Sequence, residues 1–403
     1  MKILVLNGGS SSFKCWFADL AEEGLPEAAQ EPQWSARVDW SHHTGIAEIR
    51  IKKSDDSAAQ QKMHVRAPFE VLEPVLKLLP SGVDVVGHRI VHGGPKYRES
   101  TALTSEVRAA IANEVESAPV HNRFELEAIE TVDRVLGRNV LQIAAFDTGF
   151  HATLEPAAYV YPGPYSWLEQ GIRRYGFHGL SHQYASRRAA AMLGRDLKAL
   201  NLIVCHLGNG ASLAAVRGGK SVDTTMGFTP LEGLMMGARC GSIDPGIIVH
   251  LIRHRGYNAE QLDHILNQES GLLGISGVSG DMREVLEAIA SGNERARLAF
   301  DIYAHRLVHE IGGMLAVLGG IDVLVFTGGI GENCAPLREV ASKQLAFLGL
   351  KLDAAKNSDP RSDRDIATAD SRIRVLVIRA QEEWEIAREC HRLAGALLTR
   401  HSG

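Results

Sequence analysis

Ile3-Leu4-Val5-Leu6-Asn7-Gly8-Gly9-Ser10-Ser11-Ser12-Phe13-Lys14-Cys15-Trp16-Phe17 is the stretch from which the fold can be read. Four apolar β-formers, a cluster of Asn, Gly and Ser, and a second apolar run predict strand, tight turn and strand. The same grammar returns in the second half. Asn201 to Leu207 reads as a strand, Gly208-Asn209-Gly210-Ala211-Ser212 as a small-residue turn, and Leu213–Val216 as the start of the return strand. Further strands are predicted over 83–92, 140–146, 323–326 and 373–378, and helices over 70–79, 105–117, 125–136, 298–317 and 382–398. Strands alternating with helices predict an α/β architecture. The two similar halves predict a domain-scale repeat with a ligand cleft between them. Residues 20–66 are mixed and polar around an alternating patch at Ile49-Arg50-Ile51, and 354–370 are expected to be a surface loop.

Composition narrows the function classes. Hydrophobic residues are 45% and charged residues 23% of the 403, near the globular average, which argues against disorder and coiled coil. Glycine is in excess, at 40 residues, and clusters in a few loops. Lys plus Arg is 43 and Asp plus Glu 48, a net charge of −5, which argues against a nucleic-acid partner. An anionic small molecule would need arginine or lysine placed locally in a site. Five scattered cysteines without a Cys-x-x-Cys pair suggest a reduced, cytoplasmic protein. The longest uncharged stretch, Ala199 to Val216, carries Asn201, His206 and Asn209, so no membrane span is expected.

Three glycine-rich turns follow apolar runs. Asn7 to Lys14 reads either as an ordinary hairpin turn or as an anion nest with hydroxyls and Lys14 as extra donors. His206-Leu207-Gly208-Asn209-Gly210 holds the matching place in the second half. Gly328-Gly329-Ile330-Gly331-Glu332-Asn333 follows a buried strand but lacks the third glycine of the dinucleotide fingerprint. Arg89, in an apolar strand, and Arg239, among small residues, read as internal ion-pair members or as forks for a carboxylate or phosphoryl group. Asp147 at a strand end reads as a cap or as a group that holds Mg²⁺ or orients a nucleophile. His178/His182 and His305/His309 have zinc-helix spacing without the accompanying glutamate, and 305/309 read as structural or surface histidines. Glu382, Glu383 and Glu385 open a helix, where acids suit the dipole or reach a Mg²⁺-bound water.

Seven blocks resemble the signatures of the acetate kinase (acetokinase) family. They are Val5–Lys14, His88–Gly94, Phe146–His151, Arg173–Gly179, Cys205–Gly210, Met226–Gly237 and Phe326–Asn333, in order over nearly the whole chain. The resemblance implies the actin/sugar-kinase/chaperone-ATPase architecture. That is two duplicated ribonuclease-H-like α/β domains, 1–149 with 384–403 and 150–383, and a nucleotide in the cleft between them. It also implies Mg²⁺-dependent (or Mn²⁺-dependent) phosphoryl transfer between ATP and a short carboxylate, giving acyl phosphate and ADP, by a homodimer. By the same resemblance, Asp147, His178 and Arg239 are catalytic. Arg89 binds the substrate carboxylate, and Val91, Val120 and Pro230 line its methyl pocket. Asn7 and Glu382 match metal positions. Lys14, the segment His206, Leu207, Gly208, Asn209 and Gly210, the segment Asp281, Met282 and Arg283, and the segment Gly329, Ile330, Gly331, Glu332 and Asn333 match nucleotide contacts.

The residue types suit that chemistry, because phosphoryl transfer needs positioning and charge neutralisation more than covalent help. Two departures stand out. Ala238-Arg239-Cys240-Gly241-Ser242 replaces the family's Thr-Arg-Ser-Gly-Asp, and Ala380-Gln381-Glu382-Glu383 replaces Thr-Asn-Glu-Glu. Cys240 reads as an inert small residue or as a redox-sensitive thiol. The alternatives to acetate as substrate are propionate and butyrate. A switch ATPase of the same architecture would not need the carboxylate clamp of Arg89 and Arg239, and the intact set of site residues argues against an inactive relative.

Overall fold

The computed structural model describes residues 1–9, 12–21, 25–40, 45–55, 57–80, 82–113, 119–359, 361 and 363–401; at 68, 119–123 and 398–401 it describes the backbone alone. The chain divides into two compact units, Met1–Ala152 with Gln381–Gly403, and Thr153–Ala380.

The first unit is built on an eight-stranded sheet among the described residues. Its strands are β1 (Lys2–Gly8), β2 (Ser12–Asp19), β3 (Trp34–Asp39), β4 (Ile46–Lys53), β5 (Ala58–His64), β6 (Val85–Ile90), β7 (Thr101–Ala102) and β8 (Leu141–Phe146), in the order β5-β4-β3-β2-β1-β6-β8-β7. β1 and β2 form the expected antiparallel hairpin, with Asn7 opposite Lys14. β1, β6 and β8 run parallel. Parallel central strands are covered on both faces, which is why Ile3 to Leu6 read as an unbroken apolar run.

The second unit repeats this plan. Its strands are β9 (Asn201–Leu207), β10 (Ala211–Arg217), β11 (Lys220–Thr224), β12 (Val323–Thr327), β13 (Arg364–Asp365) and β14 (Arg374–Val377), in the order β11-β10-β9-β12-β14-β13. β9 and β10 form an antiparallel hairpin, and β9, β12 and β14 run parallel. The hairpin followed by two parallel neighbours is the repeat anticipated from the two Asn/Gly/Ser turns. Among the described residues no helix is long and apolar enough to cross a membrane.

Three segments differ from the expectation. Residues 20–66, read as mixed and polar, contain β3, β4 and β5. Trp34, Ala36 and Val38, then Ala47 and Ile49, alternate inward at period two, while β5 is an exposed polar edge. Residues 354–370, expected as a surface loop, hold the helix Ala354–Ser358 and β13. Asp353 caps that helix, and Ile366 and Ala367 are fully buried. The glycine-rich 328–333 segment is a short helix rather than an open turn. The helix expected over 105–117 spans Ser105–Asn113, and 114–117 lie outside the described residues.

Arg338 ties the short helix down. It lies on the helix Ala335–Gln344 and is 1% exposed. Its Nη1 donates to Gly331 O (2.8 Å) and Glu332 O (2.9 Å), its Nε to Asn357 Oδ1 (2.8 Å), and its Nη2 to Asn357 O (2.7 Å). Burial pulls its pKa down to about 10. Arg338→Met strips four acceptors of this donor, at about 1 kcal/mol or more for each group left unsatisfied. The expected loss of stability is therefore at least about 4 kcal/mol, read as a lower urea midpoint at unchanged m-value.

Candidate active site

In the first unit the candidate residues collect at the C-terminal ends of the parallel strands. Asn7, near the end of β1, donates through Nδ2 to Glu382 Oε2 (3.0 Å) and Glu383 Oε1 (2.8 Å). Both glutamates open the helix Glu382–His401, which buries Trp384, Ile386, Ala387 and Cys390. Lys14, opposite Asn7 across the hairpin, pairs with Glu383 at 3.0 Å. That carboxylate holds the Lys14 ammonium above its usual pKa. Ser10 and Ser11 of the same turn lie outside the described residues.

Arg89 lies in β6 one residue before its end, and Asp147 directly after β8. Arg89 Nη1 donates to Gly8 O and Nη2 to Asp147 Oδ2, each at 2.9 Å. Asp147 is 0% exposed and the Arg89 side chain 12%, so this is a largely buried ion pair. Burial opposes the charge on Arg89, but Asp147 and Glu382 outweigh it and hold the guanidinium more firmly protonated than usual. Val91 is buried, and its N–H donates to Glu125 Oε1 (3.0 Å). The Val120 side chain lies outside those described.

Asn7 and Glu382 supply hard oxygen donors on adjoining elements. Among the described residues no group of three His, Cys, Asp or Glu forms a metal cage. The set suits a cation such as Mg²⁺, which keeps several waters and takes further oxygens from a phosphate.

In the second unit His178 precedes the helix Gly179–Leu193 in the left-handed region, at φ 58°. A residue other than glycine held there stores strain, a feature that concentrates at functional sites. Its Nδ1 lies 2.9 Å from Ser212 Oγ, and its ring centroid 4.3 Å from that of His206. Ser212, on β10, also meets His182 Nε2 at 2.8 Å, and Ser181 Oγ meets His206 Nδ1 at 2.7 Å. A hydroxyl carries one proton, so Ser212 donates to at most one of its two histidines and at least one ring must donate to it. The facing nitrogens of His178 and His182 therefore cannot both be acceptors.

The glycine-rich segments are then drawn together. A Cβ on Gly210 would stand 3.2 Å from His178 Nε2 and 3.4 Å from Arg239 Nη1, so both side chains converge on that residue. Arg239 Nη1 donates to Pro230 O (2.8 Å). A Cβ on Gly237 would fall 2.1 Å from Asn209 Oδ1 and 3.0 Å from Gly280 O, so only glycine lets 206–210 and 280–283 meet there. Gly328, at φ 78°, crosses Leu207, whose carbonyl oxygen a Cβ would approach to 2.8 Å, and Thr327 pairs with His206 in register. Asp281 caps the helix Met282–Ala290 and pairs with exposed Arg283, while Met282 and Leu207 point into the core and offer only backbone. Asn333 Nδ2 donates to Gly329 O (2.9 Å), and Glu332 Oε1 accepts from Ala380 N (2.9 Å). Ile330 is half-buried.

Cys240 is half-buried, and burial pushes its thiol above the usual range, which favours the inert reading. His305 and His309 lie on an exposed helix face. Two features escaped sequence reasoning. Glu125 sits on the apolar face of its helix with Ala128, Ile129 and Val132, and an acid in that stripe was the available signal. Ser212, read as the end of the Gly208–Ser212 turn, lies instead inside β10 among buried residues, where nothing in its type marked it.

Comparison with known proteins identifies the family. The model of the acetokinase family matches residues 2–388. The chain is 54% identical over 400 residues to an acetate kinase of Nostoc punctiforme, covering 97% of this chain and 98% of the other. It is 55% identical over 404 residues to an acetate kinase of Gloeobacter violaceus, with the same coverage of 97% and 98%. Among solved structures it is similar to Porphyromonas gingivalis acetate kinase (TM-score 0.88, 36% identity, 98% and 99% of the two chains). A propionate kinase from Francisella tularensis also superposes, with TM-score 0.88, 35% identity, and 97% and 99% coverage.

Proposed function

The chain belongs to the acetokinase family, and on that premise we propose that it catalyses reversible phosphoryl transfer from ATP to acetate, giving acetyl phosphate and ADP. The observation that carries the reading is Arg89, largely shielded from solvent and anchored by Gly8 O and Asp147 in a chain of this family. A guanidinium fixed in that way suits recognition of a small carboxylate. The relatives named for acetate are 54–55% identical, against 35% for the propionate kinase, so acetate is favoured over propionate.

The reaction needs little proton chemistry. The acid is already ionised at pH 7. One of its oxygens attacks the γ-phosphorus, the new O–P bond forms, and the bond to the leaving ADP oxygen breaks. Arg89 holds the carboxylate, with Val91, Val120 and Pro230 around its methyl group. Arg239 and His178 stabilise charge on the transferring phosphoryl oxygens. Asp147 keeps Arg89 oriented. Lys14, the 206–210 and 329–333 segments and Asp281–Arg283 hold the nucleotide. Asn7 and Glu382 would hold a divalent cation, Mg²⁺ by the fit of its donors, which when bound neutralises phosphate charge.

Three further readings complete the proposal. The two units are the family's two duplicated domains. The enzyme is a homodimer, supported by the helix Pro245–Arg255, which buries no residue and exposes Ile247, Val249 and Ile252. It works in the cytoplasm, supported by five free cysteines. Trapping of acyl phosphate as the hydroxamate tests the activity, and light scattering tests the dimer.

A further inference from the structure

Glu125 has no role in the reaction as described, yet it occupies a costly place. It lies on the helix Pro119–Val135 with Ala128, Ile129 and Val132 on its buried face, and it is 3% exposed. Its Oε1 accepts the Val91 N–H at 3.0 Å, and its Oε2 has no hydrogen-bond partner. Arg89 Nε, in the same neighbourhood, is likewise buried without a partner. A buried carboxyl with one satisfied oxygen is costly to retain, so its position asks for a reason.

We propose that Glu125 is a positioning residue of the carboxylate-binding site, fixing the Val91 backbone and, with it, the strand end that presents Arg89 to the acid. This deepens the reading under Proposed function and rests on it. The local charges explain why the residue must also stay neutral. Asp147 and Glu382 already face the single guanidinium of Arg89. An ionised Glu125 would add a third carboxylate where an anionic substrate has to bind. Burial pushes its carboxyl up to about 8, against the pull of Arg89 and the Val91 N–H and with the push of Asp147, so it is protonated at pH 7. Its carbonyl oxygen can then hold Val91 without adding charge. The other titratable groups of this strand end do not change state between pH 7 and 9: burial holds His88 and His92 at about 4, and Arg89 stays charged.

The test compares wild type, Glu125→Gln and Glu125→Ala by initial rates of acyl phosphate formation from pH 6.5 to 9.5, with ATP and Mg²⁺, quenched into hydroxylamine at one fixed pH. The acid stays ionised throughout, so its own titration does not enter. For wild type, KM for acetate is expected to rise about tenfold per pH unit above about pH 8, as one group loses its proton, with KM for ATP flat. Glu125→Gln keeps a neutral acceptor for Val91 and should lack that basic limb, with KM for acetate within about 3-fold of wild type at pH 7. Glu125→Ala should raise KM for acetate by about tenfold or more at pH 7, leaving KM for ATP unchanged. Persistence of the basic limb in Glu125→Gln would overturn the proposal, as would a joint rise of both KM values in Glu125→Ala. If Glu125→Ala does not fold, the Gln variant decides alone. Wild type that makes no acyl phosphate from any acid would overturn the underlying activity instead, and the two failures are distinguishable.

Discussion

Arg89→Ala is expected to lower kcat/KM for acetate by about 10³-fold, with most of the loss in KM for the acid and little in KM for ATP. The substitution removes the fixed guanidinium and leaves Asp147 buried at 0% exposure without its 2.9 Å partner. Breaking a buried pair from one side costs about 3–5 kcal/mol of stability, so activity must be normalised to folded protein. Arg89→Lys separates the two effects. It restores a charge near Asp147 but not a planar fork that reaches Gly8 O and Asp147 together. The Lys variant should therefore recover most of the stability and only part of the activity. The check is kcat/KM beside a urea unfolding curve for all three proteins. Full activity per folded molecule in Arg89→Ala would remove the carboxylate role from this residue.

The second large effect belongs to His178 and Arg239. Each is expected to cost about 10²–10³ in kcat on replacement by alanine, with smaller changes in KM, because each is proposed to stabilise charge that develops only in the transition state. Their convergence on Gly210 supports a shared oxygen, so the double variant should lose less than the sum of the two singles in free energy. Ser212→Ala tests the wiring beneath His178. It leaves the ring in place but frees its Nδ1, and the Nε2 of His182, from the shared hydroxyl. A loss of about tenfold in kcat is expected, of the order of one hydrogen bond. Steady-state kinetics at saturating ATP and acid reads all four, and strictly additive losses in the double variant would contradict a common target.

Much of the fold and of the candidate site was legible because the candidate residues stand where regular structure stops. Asn7, Asp147 and His206 stand at or beside the ends of apolar strands, and an abrupt change from Val and Leu to Asn, Asp and Gly marks such an end without any coordinates. The two Asn/Gly/Ser turns exposed the repeat for the same reason. The outer strands β3 to β5 were hidden, since their alternation uses small or polar partners and β5 carries almost no buried residue. Ile366 and Ala367 were hidden by the polar residues around them. Glu125 was hidden more deeply. One acid on a helical apolar face is indistinguishable from a boundary residue until Val91, 34 positions away, is found against it. The linkage of His178 to His182 through Ser212 depends on a strand and a helix meeting, which spacing alone does not encode.

The central claim is that the chain transfers a phosphoryl group to a carboxylate, and one plate tests it. Wild type is incubated with ATP and Mg²⁺ and with acetate, propionate or butyrate, and acyl phosphate is captured as the hydroxamate. The account predicts acyl hydroxamate with acetate in amounts matching the ADP released, and less with the longer acids. ADP release with no hydroxamate from any acid would contradict it and point to a nucleotide hydrolase.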